Sequence, residues 1–133
     1  ESARFGDQHA EYGLLPGWGG SQRLPRVLGL RRALDLFYSH RWIAADEALN
    51  WGLVNYVVPD DALRDEAMNY CRKLTEKSRR GLAAMKRLAR QGIEASLADG
   101  IRLEREAAVE HTIGDDAGEG LAAFRERRRP NFA

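Results

Sequence analysis

Two side chains near the start of the chain, His9 and Glu11, are of the types that transfer protons in enzymes. Histidine titrates near neutral pH without help from its surroundings, so His9 is a candidate general base. Glu11 follows two residues later, and in an extended segment residues i and i+2 share one face. The polar segment 7–12 is therefore predicted to carry an acid–base site on a loop. A polar loop without a chemical role is the alternative.

A stretch rich in glycine and proline follows at residues 13–29, with five glycines and two prolines. Pro16 and Gly17 predict a tight turn in which Gly17 takes a positive φ. Ser21 is the predicted N-cap of a helix over residues 22–28, which the last glycine of the stretch ends. Such a loop presents bare backbone N–H groups near the positive end of a helix, where a ligand or water can approach closely. A purely structural turn is the alternative, because glycine motifs alone are weak signals.

A third candidate lies near the C-terminus, where the arginine-rich segment 125–129 follows Phe124. Guanidinium groups bind phosphates, and an aromatic ring can stack on a base such as adenine. The segment therefore indicates a site for a phosphate-bearing ligand. A solvated basic terminus is the alternative.

The elements that must position these residues follow from the hydrophobic pattern. Before residue 60 we predict a brief strand around Phe5, followed by an amphipathic helix whose apolar face carries Leu30, Ala33, Leu34 and Phe37. A short extended piece is predicted at residues 42–43 and a helix over residues 45–50 that stops at Gly52. The last element of this part is a predicted buried strand over residues 53–58. Between residues 60 and 129 there is no proline, and this part predicts helices only.

The helical part carries three predicted apolar stripes. Their residues are Leu63, Ala67, Tyr70, Cys71 and Leu74; then Leu82, Met85, Leu88, Ala89 and Ile93; then Leu97, Ile101 and Ala108. Ser96 and Asp99 resemble a capping box at the start of the third helix. A break is predicted at residues 114–118 and a last helix at residues 119–128. Because two short strands offer little sheet to cover, these helices are expected to pack on each other and on another subunit.

Composition limits the class of protein. The chain has 133 residues, 44% of them hydrophobic and 31% charged, with a net charge of +1. One core is therefore expected, and neither nucleic acid nor an anionic membrane is predicted as the main partner. The single cysteine, Cys71, excludes an internal disulfide framework and suits a reducing compartment. With no membrane-length apolar run and no signal-like N-terminus, the sequence predicts a soluble, cytoplasmic protein.

Three ordered motifs, covering nearly the whole chain, resemble the crotonase superfamily of enoyl-CoA hydratases and isomerases. They are ARFG at residues 3–6 with GLLPGxGGSQRLxRxxG at residues 13–29, AxEAxxxGLVNxVVP at residues 45–59, and EGLxAFxxRRxPxF at residues 119–132. The resemblance implies the C-terminal portion of the α/β crotonase (ClpP/crotonase-like) fold, mostly α-helical with a few short strands. Residues 1–59 would form part of the core, with the active-site loop and the last strand. Residues 60–133 would form a helical region for oligomerisation and for covering CoA.

The resemblance also implies an enzyme of fatty acid metabolism that acts on an acyl-CoA thioester through a stabilised enolate. His9 stands where the hydratases carry one of two catalytic glutamates, and the N–H of Gly17 matches one that helps hold the water. Trp18 replaces a small residue and would narrow or cap an acyl pocket, or pack in the core. Phe124 and Arg127 match positions that reach the CoA adenine and phosphates of a neighbouring subunit. A homotrimer or hexamer is implied, with no metal and no cofactor other than the CoA of the substrate.

Two alternatives stay open at this point. Because His9 departs from the two-glutamate pattern, the protein could be a non-hydratase crotonase, such as an isomerase, hydrolase or decarboxylase. It could also be a catalytically silent family member that serves assembly or binds RNA, although the near-neutral charge argues against RNA. Family members are about twice as long, and the resemblance places the oxyanion hole and the second glutamate ahead of Glu1. The chain is therefore expected to be a fragment that is inactive by itself.

Overall fold

The computed structural model describes residues 1–132, and the chain forms two compact units, Glu1–Glu66 and Ala67–Ala133. The first unit contains β1 (Arg4–Phe5), a 3-10 helix (His9–Tyr12), α1 (Gly20–Leu28), α2 (Leu30–Ser39), β2 (Ile43–Ala44) and α3 (Ala45–Trp51). Helix α4 (Leu63–Thr75) begins in the first unit and ends in the second, which also contains α5 (Arg79–Gly92), α6 (Leu97–Thr112) and α7 (Asp115–Glu126). The prediction of a mostly helical chain with short strands is confirmed. The roles predicted for residues 1–59 and 60–133 stay predictions.

The core of the first unit is small and apolar. Its buried side chains are Leu28, Leu36, Ile43 and Ala48, with Phe5, Leu24, Trp51, Leu53 and Val54 packed partly buried against them. The two strands pair antiparallel in the register Arg4↔Ala44 and Phe5↔Ile43. The ladder therefore fixes the chain just ahead of the 3-10 helix against the core.

The buried face of α2 differs from the predicted one. Ala33 and Leu36 are buried, whereas Leu30 is 63% exposed and Leu34 and Phe37 are half-buried. The sequence pattern gave the period of the apolar face, but packing against α1 and the core decides which part of the face is covered.

One arginine links α2 to α3. Arg41 Nη2 lies 3.0 Å from Asp35 Oδ2 and 2.7 Å from Glu47 Oε1. The same guanidinium lies over the ring of Trp51, 5.1 Å from its centroid, in the geometry of a cation–π contact. The hydrogen bonds to Glu47 and then to Asp35 raise the pKa of Arg41, and the bond from Arg41 lowers the pKa of Glu47. These contacts connect α2 to α3, the helices that precede and follow β2 in the sequence.

The strand predicted at residues 53–58 is wrong. α3 ends at Gly52, as predicted, in the left-handed conformation, and Leu53 N–H donates to the Ala48 carbonyl at 2.8 Å. The backbone N–H of Leu53 thus caps the C-terminal end of α3. Within residues 1–132, β1 and β2 pair only with each other, and an apolar segment without a ladder partner does not form a strand.

The predicted start of α1 is also wrong. The helix begins at Gly20 with Gly19 as its N-cap, and Ser21 lies inside the first turn. The positive φ values fall on Trp18 (47°) and Gly19 (84°), and Gly17 has none. Arg23 N–H donates to the Gly19 carbonyl at 2.8 Å, so the first helical hydrogen bonds start earlier than a serine cap would allow.

Two serine caps begin helices in the second unit. The predicted cap at Ser96 is confirmed: its Oγ accepts from Asp99 N–H at 3.1 Å and donates to Asp99 Oδ2 at 2.6 Å. That hydroxyl lowers the pKa of Asp99. Ser78 caps α5 by accepting from Gly81 N–H at 2.7 Å, and its Oγ donates to Asp116 Oδ2 at 2.5 Å. The second serine therefore joins the starts of α5 and α7.

The last helix begins earlier than predicted. α7 starts at Asp115, so Gly118 lies inside the helix and is not part of a break. Two aspartates in the first turn, Asp115 and Asp116, complement the positive helix end and compensate for the poor helix propensity of glycine.

Much of the predicted apolar surface of the later helices is exposed. α4 buries none of its residues, and α6 buries Ala107 instead of the predicted Ala108. The large exposed apolar residues of α4, α5 and α6 include Leu63, Met68, Met85, Leu97 and Val109. Exposed apolar faces of this extent are typical of surfaces that other protein covers.

We predict that Gly19→Ala lowers the free energy of unfolding of the full-length protein by about 1–3 kcal/mol. An alanine at φ 84° is strained, and its Cβ would overlap the guanidinium of Arg23, so the arginine must move. Thermal unfolding measures the change. The control is Gly118→Ala, where a Cβ meets nothing within 4 Å in a helix; it should stabilise by up to about 1 kcal/mol. Equal melting temperatures for Gly19→Ala and the wild type would contradict the prediction.

Candidate active site

The candidate base His9 begins the 3-10 helix His9–Tyr12. The extended conformation assumed for this segment is therefore wrong. In a 3-10 helix residues i and i+2 are about 240° apart around the axis, so His9 and Glu11 point in different directions. Glu11 Oε2 instead lies 3.0 Å from His40 Nε2, and both side chains are about half exposed. The catalytic role of Glu11 stays a prediction, but the two side chains do not share the face on which that prediction was based.

A second carboxylate, which the sequence analysis did not single out, lies beside His9. Asp7 Oδ1 is 3.0 Å from His9 Nδ1 and also accepts the backbone N–H of His9 at 3.1 Å. The side chain of Asp7 is 14% exposed and that of His9 is 37% exposed. Within residues 1–132, Nε2 of His9 has no hydrogen-bond partner. An aspartate commonly accepts the backbone N–H of the second residue after it in an Asx turn. The spacing of Asp7 and His9 is therefore the feature of the sequence that could have indicated this contact.

The end of α2 holds the segment that carries His9. Gln8 Nε2 donates to the His40 carbonyl at 2.6 Å, while the His40 ring pairs with Glu11. His40 is the C-cap of α2 and has a φ of 43°. Gln8, before the 3-10 helix, and Glu11, within it, therefore both contact the residue that caps α2.

The glycine loop follows directly. Gly13 ends the 3-10 helix in the left-handed conformation, and Leu14 N–H donates to the His9 carbonyl at 2.9 Å. Gly17 is exposed, and its N–H donates to no group in the described chain, although its carbonyl accepts from Gly20 at 2.9 Å. The N–H of Gly17 can therefore bind a ligand or a water, and its predicted role stays a prediction.

Trp18 lies at the tip of the same loop. Its side chain is 97% exposed, so within the described chain it does not pack in the core. Its carbonyl accepts from Arg23 Nη2 at 2.6 Å, which fixes the loop backbone at a residue whose φ is 47°. A large indole held outward on a fixed, strained backbone can cover an apolar group of a ligand.

The candidates for phosphate and adenine binding lie at the end of α7. Phe124 is 83% exposed, and Arg127 is an exposed residue with a φ of 55°. Arg127 N–H donates to the Phe124 carbonyl and Arg128 N–H to the Ala123 carbonyl, which is the hydrogen-bond pattern of a Schellman motif. Glycine is the favoured residue at the position of Arg127.

The arginines of this end differ in their partners. Arg128 donates to Glu119 at 2.5 and 2.9 Å and to Glu126 at 2.6 Å. Arg128 and then the N–H of Asn131 lower the pKa of Glu119 to about 2. Arg127, in contrast, makes no ion pair or side-chain hydrogen bond within residues 1–132. Its guanidinium is available for an anion, and that of Arg128 is not.

The described residues contain no group of three or more His, Cys, Asp or Glu side chains that could hold a metal ion. No helix in residues 1–132 is both long enough and apolar enough to span a membrane.

The sequence model of the family Enoyl-CoA hydratase/isomerase matches residues 1–133. A probable enoyl-CoA hydratase of Mycobacterium leprae (strain TN) is 39% identical over 132 residues, which are 99% of this chain and 51% of that protein. A crotonyl-CoA hydratase of Syntrophomonas wolfei is 34% identical over 98% of this chain and 50% of its own length. The crystal structure of an enoyl-CoA hydratase from Bacillus anthracis matches with a TM-score of 0.95 and 36% identity, covering 99% of this chain and 51% of that one.

The similarity extends along the whole chain, and the chain spans about half the length of the curated relatives it matches. The likeness to solved enoyl-CoA hydratases confirms the predicted crotonase fold. The family match confirms the resemblance inferred from the three motifs. This chain belongs to the enoyl-CoA hydratase/isomerase family.

Proposed function

We propose that the protein is an enzyme that acts on an acyl-CoA thioester through a stabilised enolate, with His9 as its acid–base residue. The observation that carries the proposal is His9 itself: Nδ1 contacts a carboxylate, Nε2 has no partner in residues 1–132, and the glycine loop follows at once. Membership of the family supports the acyl-CoA substrate. No cofactor other than the CoA of the substrate, and no metal, is part of the proposal.

In the proposed reaction Nε2 of His9 takes a proton from the α-carbon of the thioester. The electron pair left on that carbon moves toward the carbonyl, and the negative charge develops on the thioester oxygen. Backbone N–H groups stabilise such a charge in a site that excludes water. The imidazolium then returns the proton to a carbon or to a leaving group, which makes isomerisation and related reactions accessible.

Hydration is the less favoured reaction in this proposal. Paired glutamates hold the water between them in the hydratases that the sequence resembles. His9 replaces one of these two carboxylates with an imidazole, which has one accepting nitrogen where a carboxylate has two accepting oxygens. The relative from Syntrophomonas wolfei is named a crotonyl-CoA hydratase, so crotonyl-CoA is the direct comparison substrate. A non-hydratase crotonase with His9 in place of glutamate is therefore the finer assignment we propose.

We predict slow or absent hydration of crotonyl-CoA by the full-length wild type, together with turnover of another acyl-CoA thioester. His9→Ala should lower that turnover by about 10²-fold or more, the usual contribution of a general acid–base group. His9→Glu should restore some hydration if the full-length protein carries the second glutamate of the hydratases, because the change returns a carboxylate to the position. The assays are hydration of crotonyl-CoA and turnover of a panel of acyl-CoA thioesters. Brisk wild-type hydration that His9→Ala leaves unchanged would contradict the assignment, and Glu11 would then be the next residue to test.

Binding of the substrate is proposed to involve Trp18, Phe124 and Arg127. Trp18 covers the acyl group, Phe124 stacks on the adenine and Arg127 binds a phosphate of CoA held by a neighbouring subunit. Their exposure supports these roles, since a stacking ring and an unpaired guanidinium are accessible to a ligand. The strained φ values of Trp18 and Arg127 give the same indication, because strain of this kind is concentrated at functional positions.

The left-handed conformation of Arg127 gives a test that separates binding from stability. Arg127→Gly should weaken CoA binding at low salt by about 1–2 kcal/mol, because a charge-assisted contact is lost. The same change should leave the melting temperature unchanged or raise it, since glycine removes a strain of about 1 kcal/mol. Calorimetric titration with CoA and thermal unfolding measure the two effects. Arg64→Ala, which removes an equal charge from α4, is the control and should bind CoA normally. Unchanged affinity of Arg127→Gly would show that the basic segment is merely solvated.

We also propose that the protein assembles as a homotrimer, or as a pair of trimers, in the cytoplasm. The exposed apolar residues of α4, among them Leu63, Met68 and Leu74, support this proposal. An exposed apolar helix face is stabilised when a further protein surface covers it.

Sedimentation of the full-length protein at micromolar concentration should therefore give the mass of a trimer or hexamer. Leu74→Glu should shift the distribution toward smaller species, because it places a charge on the apolar face of α4. Lys73→Glu, a charge change at the neighbouring position of the same helix, is the control and should leave the mass unchanged. Detection of monomer alone for the wild type would contradict the proposed assembly.

A further inference from the structure

We propose that Asp7 is the positioning residue of His9, so that the two residues act as one carboxylate–imidazole unit. This inference rests on the proposed function, in which His9 is the acid–base residue. Nothing in the motifs of the sequence requires an acidic residue at position 7. The geometry described above carries the proposal: one oxygen of Asp7 contacts both the backbone and the ring of His9.

The contact determines which nitrogen of His9 carries the proton. An ionised carboxylate only accepts hydrogen bonds, so a neutral ring that contacts Asp7 Oδ1 through Nδ1, at 3.0 Å, must have its proton on Nδ1. Nε2 is then unprotonated and able to accept a proton. A neighbouring carboxylate fixes the tautomer and orientation of an imidazole in this way in metal sites and in hydrolase triads.

The second hydrogen bond restricts where the carboxylate can go. Because Asp7 Oδ1 also accepts the backbone N–H of His9 at 3.1 Å, it is held at a fixed place relative to the ring. The ring gains a stable orientation without a long side chain having to be ordered. Positional precision of this kind is what a general base requires, since proton transfer depends on hydrogen-bond distance.

Shielding distinguishes this pair from the other carboxylate–histidine pair of the first unit. The Asp7 side chain is largely buried, whereas the Glu11 and His40 side chains are both about half exposed. Water and salt screen the contacts of a shielded carboxylate less than those of an exposed one. The pair of Glu11 and His40 attaches the helix to α2, while the pair of Asp7 and His9 has the geometry of a proton-transfer unit.

The first test uses nitrogen NMR of the full-length protein without substrate, which reports the tautomer of the His9 ring. We expect the proton on Nδ1 in the wild type and a shift toward Nε2 in Asp7→Ala. Asp7→Asn should keep more of the wild-type tautomer, because its amide oxygen can still accept from the ring. Asp61→Asn, a change of an exposed turn aspartate in the same unit, is the control. An unchanged His9 tautomer in folded Asp7→Ala would overturn the proposal.

The second test measures turnover of the acyl-CoA thioester that the wild type uses. Asp7→Ala should lower kcat by roughly 10- to 10²-fold, with a smaller change in KM, and Asp7→Asn should lower it less. The double variant Asp7→Ala/His9→Ala should be no slower than His9→Ala alone, because Asp7 acts through His9. A further loss in the double variant, or full activity in Asp7→Ala, would overturn the proposal. If the wild type turned over no thioester, the proposed function would fail, and the tautomer measurement would still decide the role of Asp7.

Discussion

The position of the His9 segment depends on the small apolar core of the first unit. Leu36 and Ile43 are its largest fully buried side chains, and they place α2 and β2. α2 in turn ends at His40, whose carbonyl and ring both hold the segment. Packed side chains and a few hydrogen bonds connect the core to the site. A smaller side chain at Leu36 or Ile43 would therefore disturb the position of the His9 segment as well as lower the stability of the protein.

The helices after residue 60 bury few of their apolar side chains. Serine caps and acidic first turns begin them, and they leave large apolar side chains such as Leu97 and Val109 exposed. Helices gain most of their stability from tertiary packing of an apolar face. The exposed faces are therefore consistent with a chain that spans half the length of its relatives and with the assembly proposed here.

The non-glycine residues with positive φ in the described chain lie at or beside the proposed functional positions. Trp18 is on the glycine loop, His40 holds the segment of His9, and Arg127 is the proposed phosphate ligand. Each could have been a glycine at lower conformational cost. At position 40 the histidine side chain makes a contact with Glu11 that glycine could not make.

The sequence by itself determined the family, the helical character after residue 60 and local signals such as the end of α3 at Gly52 and the cap at Ser96. The cap and the helix end depend on neighbouring residues only, because such signals are short-range. The tertiary structure alone decided that residues 53–58 form no strand, because a strand needs a partner that no local pattern can supply. It also decided that Asp7 pairs with the His9 ring: the spacing of the two residues allows an Asx turn, but only the folded backbone shows that the oxygen that accepts the His9 N–H also contacts Nδ1.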